Sequence, residues 1–559
     1  MTTLAPSAPD VRGSGTLTIL DPRDGSVVGE VVEADRDEVA QAVRRARAAL
    51  DGWARTDAAA RGELLHRAAD ALRERAAEFA ALNERETGKP YDDSLGGVMA
   101  GAGTLRQYAE LGPVHRGHSL VGGRYAGDYT VAQPRGVVAA VTPWNDPVAV
   151  ACGLLGAALA TGNVVVHKPS ERSPHVGALL GEVLSSVLPV DVLVTVSGGG
   201  AVGAALTEHP DVDVVAHVGS TSTGRKIARV AALTGAHVIR ENGGNDALVV
   251  DADVDPAWAA AQAALGSFAN AGQICTSVER IFVHRAIAPA FVEALAAEAT
   301  ARNEQRLLGP LVDGRLRDEV DAQVRAAIED GATAVVGGSV PDGDGSWYPA
   351  TVLTGCRPGM TIMQEETFGP VAPVQVVDSF DEGLRLAGAD RYGLAATVLT
   401  ASIEHANRAA ADLDVGTVKI NAVFGGAPGG AAQPRRDSGA GFGYGPELLD
   451  EMTLTKVVHV GLPQMPAPGL PDAHLAPGGT DTVTTSAADA GAAVTAGGGP
   501  ATPLTDADAD ADADADGDGG DSGRTPHPEE PAEGGDEDDE GTTTGGDVPR
   551  VHPSDPAEG

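Results

Sequence analysis

The chain contains few of the residues and segments that mark several protein classes. It has three cysteines, Cys152, Cys275 and Cys356, which are too few for a disulfide framework and favour a reducing cytoplasm. Aromatic residues make up only 3% of the sequence. No run of about 18 apolar residues occurs, so no membrane span is predicted. The N-terminus has neither a basic region nor an apolar run, so no secretory signal is predicted.

Positive charge is also scarce, and the deficit is uneven. The formal net charge is -39, and residues 462–559 hold 22 acidic but two basic residues, which is about half of the excess. Such an acidic chain is a poor match for nucleic acid phosphates. Residues 462–559 are rich in Ala, Gly, Pro, Thr and Asp, so we expect a disordered acidic tail that cannot bury a core.

One stretch of this tail raises the question of a metal. Asp512, Asp514 and Asp516, followed by Gly517, resemble the start of an EF-hand loop. The twelfth position of that loop would be Gly523 rather than glutamate, and no flanking helices are visible. No specific metal site is therefore predicted.

From residue 135 onward, short apolar runs typical of strands alternate with helical runs. Near-continuous apolar strands between helices predict an α/β fold with a parallel sheet covered on both faces. A second alternating block follows over about residues 243–421. Before them, residues 35–86 have helical periodicity that should stop at Gly88-Lys89-Pro90, and residues 118–133 indicate a polar hairpin.

The candidate nucleophile is Cys275, which follows a Gly272-Gln273 turn and precedes an apolar strand. A thiol exposed to a cleft there can act as a nucleophile if positive charge or backbone donors lower its pKa. Taken alone, the pattern fits a small buried structural cysteine at least as well. Cys152 and Cys356 are interpreted as structural.

Two other polar residues stand at the ends of apolar strands. Glu241 precedes Gly243-Gly244, and a partly desolvated glutamate there suits general-base work on water. Asn145 lies between Pro143 and Pro147 and offers a rigid amide that can stabilise an oxyanion. Alone, each residue also fits an ordinary surface or turn position.

Three segments have features of nucleotide sites. Lys168 ends a buried strand, where open α/β sheets bind ligands, and Glu171 could accept hydrogen bonds from a ribose diol. Taken alone, the pair fits a solvated lysine and glutamate at a strand end better. The turn Gly219–Gly224 between a strand and a helix offers backbone donors for a pyrophosphate, or a simple helix cap. Residues 198–203 match the GxGxxG fingerprint, but two turns cannot both hold the same pyrophosphate.

Taken together, these motifs resemble the aldehyde dehydrogenase superfamily over about residues 15–460. The matching segments are PWN (143–145), KPSE (168–171), GSTSTG (219–224), ENGG (241–244), GQIC (272–275), EETFGPV (365–371), YGLAATV (392–398) and KIN (419–421). The resemblance implies oxidation of an aldehyde to the carboxylic acid with NAD, through a cysteine thiohemiacetal and a thioester.

The resemblance also assigns roles to individual residues. It makes Cys275 the nucleophile, Glu241 the general base and Asn145 the oxyanion donor, acting with the Cys275 backbone N–H. It implies that the cofactor-binding residues are Trp144, Lys168, Ser170, Glu171, Gly219, Ser220, Gly224, Glu366 and Phe368. It places the pyrophosphate at the 219–224 turn, so residues 198–203 belong near the adenine.

Several positions depart from the family pattern. Asp146 stands where an apolar residue often lines the substrate channel, which hints at a polar or cationic substrate. Asn242 replaces the usual leucine after the base, and His217 replaces a common phenylalanine before the Gly219 turn. The pattern between residues 421 and 438 is blurred, so the pocket loop there is expected to be unusual.

Alternative functions remain open at this point. A CoA-acylating semialdehyde dehydrogenase would lack the general base, so Glu241 argues against it. The charge of Glu171 should repel a 2′-phosphate and favour NAD, although Lys168 with Arg172 makes NADP use conceivable. An inactive binding protein with an acidic tail is a third alternative.

The resemblance implies a Rossmann-like NAD-binding domain over residues 15–112 and 135–242 and an α/β catalytic domain over 243–438. It implies a β-hairpin oligomerisation arm formed by 113–134 and 439–461, and a homodimer or homotetramer. The acidic tail at 462–559 completes this division of the chain. The expected partners are an aldehyde substrate and further copies of the chain, but neither nucleic acid nor a membrane.

Overall fold

The computed structural model describes residues 15–122, 127–425 and 432–461. The first half contains β1 (Thr16–Leu20), β2 (Val27–Val32), α1 (Arg36–Ala54), α2 (Ala58–Glu74), α3 (Ala76–Thr87), α4 (Tyr91–Val114), β3 (Ser119–Leu120), β4 (Gly127–Pro134), β5 (Val137–Val141), α5 (Pro147–Ala160), β6 (Val164–Lys168), α6 (Pro174–Ser185), β7 (Leu193–Thr195), α7 (Gly200–Thr207), β8 (Val214–Val218), α8 (Thr221–Thr234) and β9 (His237–Glu241).

The second half contains β10 (Asp246–Val250), α9 (Pro256–Phe268), β11 (Val278–His284), α10 (Ala288–Glu304), α11 (Gly314–Glu329), β12 (Thr333–Val336), β13 (Thr351–Thr354), β14 (Val371–Val377), α12 (Phe380–Gly388), β15 (Ala395–Leu399), α13 (Ile403–Asp412), β16 (Thr417–Ile420), β17 (Gly439–Ala440), α14 (Glu447–Glu451) and β18 (Thr453–Val460). The acidic residues 462–559, including the EF-hand-like stretch, and residues 426–431 of the pocket loop lie outside the described residues.

The first sheet has six strands in the order β17-β9-β8-β5-β6-β7, and all except β17 run parallel. Its central strands are apolar and buried, and helices α1, α5 and α6 pack against them in one core. The predicted parallel α/β sheet is therefore confirmed. The carboxyl ends of β5, β6, β8 and β9 share one edge, which brings the segments after residues 141, 168, 218 and 241 together.

The second sheet has seven strands in the order β12-β13-β14-β11-β10-β15-β16. Only β12 is antiparallel to its neighbour, and the other adjacent strands are parallel. Two apolar cores flank this sheet, one built with α9 and α10 and the other with α11, α12 and α13. The sheet carries the cysteine segment immediately before β11.

A third sheet joins distant parts of the chain in the order β18-β4-β3. Strand β18 pairs antiparallel with β4 from Thr453 opposite Pro134 to Val460 opposite Gly127. Strand β3 pairs with β4 through Ser119 and Leu120. Most of β18 is exposed, including Leu454, Val457 and Val460.

The helical stretch predicted over residues 35–86 forms three helices, α1 to α3, and it stops at Gly88 as predicted. Asp35 starts α1 with a capping box, because its side chain accepts from the Glu38 N–H while the Glu38 side chain accepts from the Asp35 N–H. Helix α3 ends at Thr87, and Gly88 follows in the left-handed region at φ +77°. Among residues 15–122, 127–425 and 432–461, no helix is long and apolar enough to cross a bilayer.

Candidate active site

The Cys275 loop is a tightly bent segment between α9 and β11. Asn270, Ala271 and Gly272 have φ of +47°, +54° and +74°, so three consecutive residues adopt the left-handed conformation. Such backbone is costly for residues with a Cβ and persists only where the surroundings enforce it. A Cβ at Gly272 would overlap the carbonyl oxygen of Gly369, so glycine is required at this position.

Gln273 fastens this loop to a neighbouring segment. Its Nε2 donates to the Asn270 carbonyl at 2.9 Å, and its Oε1 accepts from the Val312 N–H at 2.9 Å. The side chain is buried, so these bonds are shielded from water. Gln273 stood inside a sequence motif without an assigned role, and the structure gives it one in shaping the nucleophile loop.

The structure brings Asn145 to the same loop. The Asn145 Nδ2 donates to the Gln273 carbonyl at 3.2 Å, two residues before Cys275. In return, Asn270 Nδ2 donates to the Asn145 carbonyl at 3.4 Å. The amide expected to stabilise an oxyanion and the cysteine expected to attack are therefore held by one hydrogen-bonded unit.

Glu241 reaches this place from the other sheet, at the carboxyl end of β9. Its carbonyl accepts from the Gly219 N–H at 3.0 Å, which ties the base candidate to the 219–224 turn. Its carboxylate lies against Gly443 on the segment after β17. The charge of Glu241 acts on the Cys275 thiol and raises its pKa, so the carboxylate lies within electrostatic range of the thiol.

The pKa of Cys275 shifts in the direction opposite to the one expected. Burial raises it most, and Glu241, Asp246 and Glu366 raise it further, while Lys419 opposes them. The sequence suggested that positive charge or backbone donors would lower this pKa, and that was wrong for the protein alone. The surrounding carboxyl groups come from distant segments, which explains why the local sequence misled. The thiol is therefore protonated at rest and needs a base before it attacks.

A cluster of buried carboxyl groups lies behind the nucleophile. Burial raises the pKa of Asp246 to about 8 and that of Glu366 to about 7. Burial also raises the pKa of Glu279 well above its usual range, and Glu366 adds to this shift. Glu366 Oε1 accepts from the Gly244 N–H at 3.1 Å, so it lies against the turn that follows Glu241.

Glu279 fixes the segment that carries Glu366 and Phe368. Its two carboxyl oxygens accept from the Thr367 N–H at 2.7 Å and from the Phe368 N–H at 2.9 Å. Phe368 has φ +52°, so the bonds hold a strained backbone in place. Glu279 was not among the sequence-predicted site residues, although a glutamate shortly after the GQIC segment, in a strand with a central apolar run, was a signal for a bound carboxylate.

Trp144 and Phe368 form one wall of the candidate cofactor site. Their rings pack edge to face with centroids 5.7 Å apart. The Arg172 guanidinium lies 5.3 Å from the centre of the Trp144 ring and pairs with Asp313 at 2.8 Å. The Arg172 side chain therefore contacts Trp144 and Asp313, and its charge also acts on Glu171.

Lys168 and Glu171 form a second polar group at the carboxyl end of β6. Lys168 Nζ lies 3.3 Å from Glu171 Oε2, and only the carboxylate side is well exposed. Burial would raise the pKa of Glu171, but Lys168, a backbone hydrogen bond and Arg172 together outweigh it and lower that pKa, so the glutamate is ionised. Ser170 lies between them and its Oγ accepts from the Arg172 N–H at 3.2 Å.

The 198–203 turn lies beside this pair. A Cβ at Gly203 would stand 3.7 Å from the Lys168 Cδ, so the start of α7 faces the lysine. Glu33, which the sequence analysis did not single out, accepts from the Gly199 N–H at 2.6 Å. Two acidic residues, Glu33 and Glu171, therefore surround Lys168, and the charge of Glu33 also acts on it.

The 219–224 turn has the conformation of a phosphate-binding helix start. Gly219 has φ +157°, and Ser220 caps α8 by accepting from the Thr223 N–H at 3.4 Å. Gly224 packs against Asn242, where any Cβ would overlap the amide oxygen. The first N–H groups of α8 point outward at the carboxyl edge of the sheet, which suits an anion.

Asp146 does not present an isolated charge to the substrate. Its carboxylate pairs with Lys89 Nζ at 3.1 Å, and both side chains are largely buried. Gly97 on α4 packs against the same carboxylate. The hint of a cationic substrate from Asp146 loses its basis, because Lys89 already neutralises the group.

These groups fit a nicotinamide dinucleotide. The row of strand ends offers an ionised glutamate and a lysine for a ribose, a helix start for a pyrophosphate, and Trp144 with Phe368 for a ring. Buried imidazole nitrogens of His217 at the same edge have no hydrogen-bond partner among the described residues, which suits a polar ligand. Residues 144, 168 and 219–224 lie at or just after the carboxyl ends of the neighbouring strands β5, β6 and β8, and Phe368 packs against Trp144 from the segment before β14.

Comparisons with known proteins agree with this geometry. A model of the aldehyde dehydrogenase family matches residues 11–458. The 2-hydroxymuconic semialdehyde dehydrogenase of Pseudomonas putida is 37% identical over 440 residues, which cover 74% of this chain and 90% of that protein.

Solved structures show the same similarity. An NAD-dependent aldehyde dehydrogenase from Sinorhizobium meliloti aligns with a TM-score of 0.78 and 33% identity, over 81% of this chain and 93% of that one. A 3,6-anhydro-L-galactose dehydrogenase in complex with NAP aligns with a TM-score of 0.78 and 31% identity, over 80% and 96% of the two chains. The chain belongs to the aldehyde dehydrogenase family, and it is an oxidoreductase that oxidises aldehydes to carboxylic acids with NAD or NADP.

Proposed function

We propose that Cys275, Glu241 and Asn145 carry out the reaction, with the roles that the resemblance implied. The observation that supports this proposal is the convergence of three distant segments. The Asn145 amide bonds the loop of Cys275, and the charge of Glu241 acts on the thiol. If Cys275 were only a structural residue, nothing would explain why an amide donor and a carboxylate both lie near it.

The steps follow from these positions. Cys275 gives its proton to solvent water, and its sulfur adds to the aldehyde carbon, which forms a thiohemiacetal whose oxygen bears negative charge. The second N–H of Asn145 and the Cys275 backbone N–H donate to this oxygen, and one such donor is typically worth about 3–4 kcal/mol in the transition state. When bound, the dinucleotide supplies the hydride acceptor, and the carbon that loses hydride becomes a thioester.

Hydrolysis of the thioester requires a base. Glu241 takes a proton from water, the hydroxide adds to the thioester carbon, and Cys275 sulfur leaves as the carboxylic acid departs. A CoA-acylating enzyme would hand the acyl group to a thiol instead, and the carboxylate at residue 241 favours hydrolysis.

We propose that NAD is preferred over NADP. The ionised Glu171 lies where a ribose 2′-hydroxyl would bind, and Glu33 adds a second negative charge around Lys168. Arg172, which together with Lys168 made NADP use conceivable, pairs with Asp313 and lies beside Trp144, and its charge also acts on Glu171. A 2′-phosphate would meet the repulsion of two carboxylates, and Lys168 is already paired with one of them.

The main support for a substrate class is the similarity of this chain to its relatives. The curated relatives act on 2-hydroxymuconic semialdehyde, so we propose that semialdehydes of this kind are oxidised by this chain. The paired Lys89 and Asp146 beside Asn145 are polar, which agrees with a substrate carrying polar groups.

The domain division is part of the proposal. Residues 15–112 and 135–242 form the dinucleotide-binding part, 243–438 the catalytic part, and 113–134 with 439–461 the arm. Its support is the separation of the apolar cores, since one core uses the first sheet and two others flank the second. Strand β18 has an exposed edge with apolar side chains, which supports a homodimer or homotetramer.

The test is release of NADH by the full-length protein with a panel of semialdehydes, aliphatic, aromatic and amino aldehydes. NAD should give faster turnover than NADP, and Cys275→Ala should abolish it. Product analysis should find the free acid without added CoA. Absence of NADH with every aldehyde, or full activity of Cys275→Ala, would refute the proposal. Light scattering of the same sample tests the oligomer.

A further inference from the structure

One buried histidine has no role in the chemistry described so far. His217 lies at the carboxyl end of β8, two residues before Gly219, and is 4% exposed. Neither ring nitrogen has a hydrogen-bond partner of good geometry among the described residues, although the Ser220 backbone lies close enough to favour the protonated ring. Leaving a buried polar group without a partner costs about 1–3 kcal/mol.

The strand register shows which groups share a face with this imidazole. His217 is the direct neighbour of Val141 in β5, and Val141 is the direct neighbour of Lys168 in β6. Aligned residues of parallel strands project to the same side of a sheet, about 4.8 Å apart per strand. His217 and Lys168 therefore stand in one row on one face, at the edge where the dinucleotide is proposed to bind.

The imidazole also lies directly beneath the turn proposed for the pyrophosphate. A Cβ at Gly219 would stand 2.8 Å from His217 Cε1 and 3.2 Å from Nε2. The first N–H groups of α8, which begins after Ser220, open on the same place. The ring is thus bounded by Lys168 on one side and by the helix start on the other.

We propose that His217 is a cofactor-binding residue that donates a hydrogen bond from its ring N–H to an oxygen of the bound dinucleotide. The acceptor is a pyrophosphate oxygen or a ribose hydroxyl, which share the same acceptor chemistry. This inference rests on the proposed cofactor, because a bound dinucleotide supplies the oxygen to which the ring N–H would donate.

The charge state of the ring agrees with a donor of this kind. Burial is the main cause that lowers the pKa of His217, and Lys168 and Arg240 act in the same direction. Together they outweigh the opposing effect of the Ser220 backbone and bring the pKa to about 4. The ring is therefore neutral near pH 7 and carries one N–H and one acceptor nitrogen. A pure packing role would not need the nitrogens, and the phenylalanine that is common at this position in the family resemblance supplies only the packing.

The experiment measures binding of NADH to the full-length protein by its fluorescence, without any turnover. His217→Phe keeps the ring and removes the donor, so its Kd should rise at least tenfold, since bonds to charged groups are worth more than neutral ones. His217→Asn retains an N–H donor and should stay within about threefold of the wild type. Unchanged binding by His217→Phe, or an equal loss in His217→Asn, would overturn the assignment.

The matched control is His167, which precedes Lys168 in β6. It is also buried, but it faces the other side of the sheet and lies 2.9 Å from Thr142 Oγ1. His167→Phe should lower the thermal midpoint and leave the Kd for NADH within about twofold. An equal loss of NADH affinity in both histidine variants would show that any change in this sheet suffices, and would overturn the assignment.

Two further ligands locate the acceptor. If it is a pyrophosphate oxygen, His217→Phe should weaken ADP but not adenosine; if it is a ribose hydroxyl, both should weaken. If His217→Phe binds ADP, adenosine and NADH as tightly as the wild type does, the inference is refuted. A wild-type protein that binds no NADH at all would instead refute the proposed cofactor.

Discussion

The carboxylate of Glu241 packs against the backbone of Gly443, where a Cβ would overlap its Oε2 and stand 3.1 Å from its Cδ. Gly443→Ala should therefore push the base away from its present position. Because misplacing a reacting group by about 1 Å can cost on the order of 100-fold, kcat should fall by 10- to 100-fold.

The effect of Gly443→Ala should fall on hydrolysis rather than on acylation. A rapid first turnover of NADH followed by a slow steady state would show this in stopped-flow measurements. Gly52→Ala at an exposed position of helix α1 makes the same chemical change where a Cβ meets no atom within 4 Å, so it should keep the wild-type profile. An unchanged kcat in Gly443→Ala would mean that the base works from another position.

Glu279 is expected to act as a positioning residue for the cofactor segment. Glu279→Ala leaves the buried N–H groups of Thr367 and Phe368 without acceptors, at about 1–3 kcal/mol each. Both the thermal midpoint and the affinity for NAD should fall, because Glu366 and Phe368 lose their support. Glu279→Gln keeps one acceptor oxygen and should recover part of both. Glu319→Gln, an exposed glutamate on α11, is the control.

Removal of the negative charge at residue 241 should make the resting nucleophile more reactive. Glu241 raises the pKa of Cys275, so Glu241→Gln lowers it and increases the thiolate fraction near pH 7.5. Alkylation of Cys275 by iodoacetamide in the protein without cofactor should become about two- to tenfold faster. Peptide mass spectrometry distinguishes alkylation of Cys275 from alkylation of the buried Cys152 and Cys356. Slower labelling than in the wild type would contradict the effect of Glu241 on the pKa of Cys275. Turnover of the variant should stop after the thioester has formed.

The buried carboxyl cluster predicts a pH dependence of stability. Burial raises the pKa of Asp246 to about 8, well above the value of about 4 in an unfolded chain. The folded state then holds an extra proton between these values, so the free energy of unfolding decreases as pH rises from about 4 to about 8.

Asp246→Asn tests this dependence. Asparagine cannot ionise, and its oxygen can still accept from the Ala395 N–H, as Asp246 Oδ1 does at 3.1 Å. Between pH 5 and pH 8, the free energy of unfolding of the variant, measured with urea, should increase by on the order of 1–4 kcal/mol relative to the wild type. Parallel curves for the two proteins would show that Asp246 stays ionised in the folded state.

The acidic segment should be dispensable for chemistry. Residues 462–559 carry about half of the net negative charge and none of the site motifs, and the family match ends at residue 458. A chain ending at residue 461 should keep kcat and KM within about twofold and differ mainly in solubility. A large loss of activity would mean that the segment contacts the site or the subunit interface.

The sequence predicts the sheet and the positions of its functional ends well, because strand chemistry is local. Apolar runs that stop at Lys168 and at Glu241 mark where the strands end, and parallel strands bring those ends to one edge. The capping box at Asp35 and the stop at Gly88 follow from neighbouring residues alone.

Tertiary partners could not be predicted in this way. The pKa of Cys275 depends on Glu241, Asp246, Glu366 and Lys419, which no local pattern connects to the cysteine. The role of Glu279 depends on backbone N–H groups almost 90 residues away. Asp146 was interpreted by its own charge, and only the fold shows that Lys89 neutralises it.

The pairing of β17 with β9 has a consequence for how the protein is made. Gly439 lies opposite Glu241, so the strand that carries the base acquires its outer neighbour from residues nearly 200 positions later. At roughly 5–20 residues per second, a ribosome needs about 10–40 seconds to reach that point after it has finished β9. Until then the first sheet has an open edge beside its future base, and this interval is when the nascent chain is most exposed to wrong strand pairing and to chaperones.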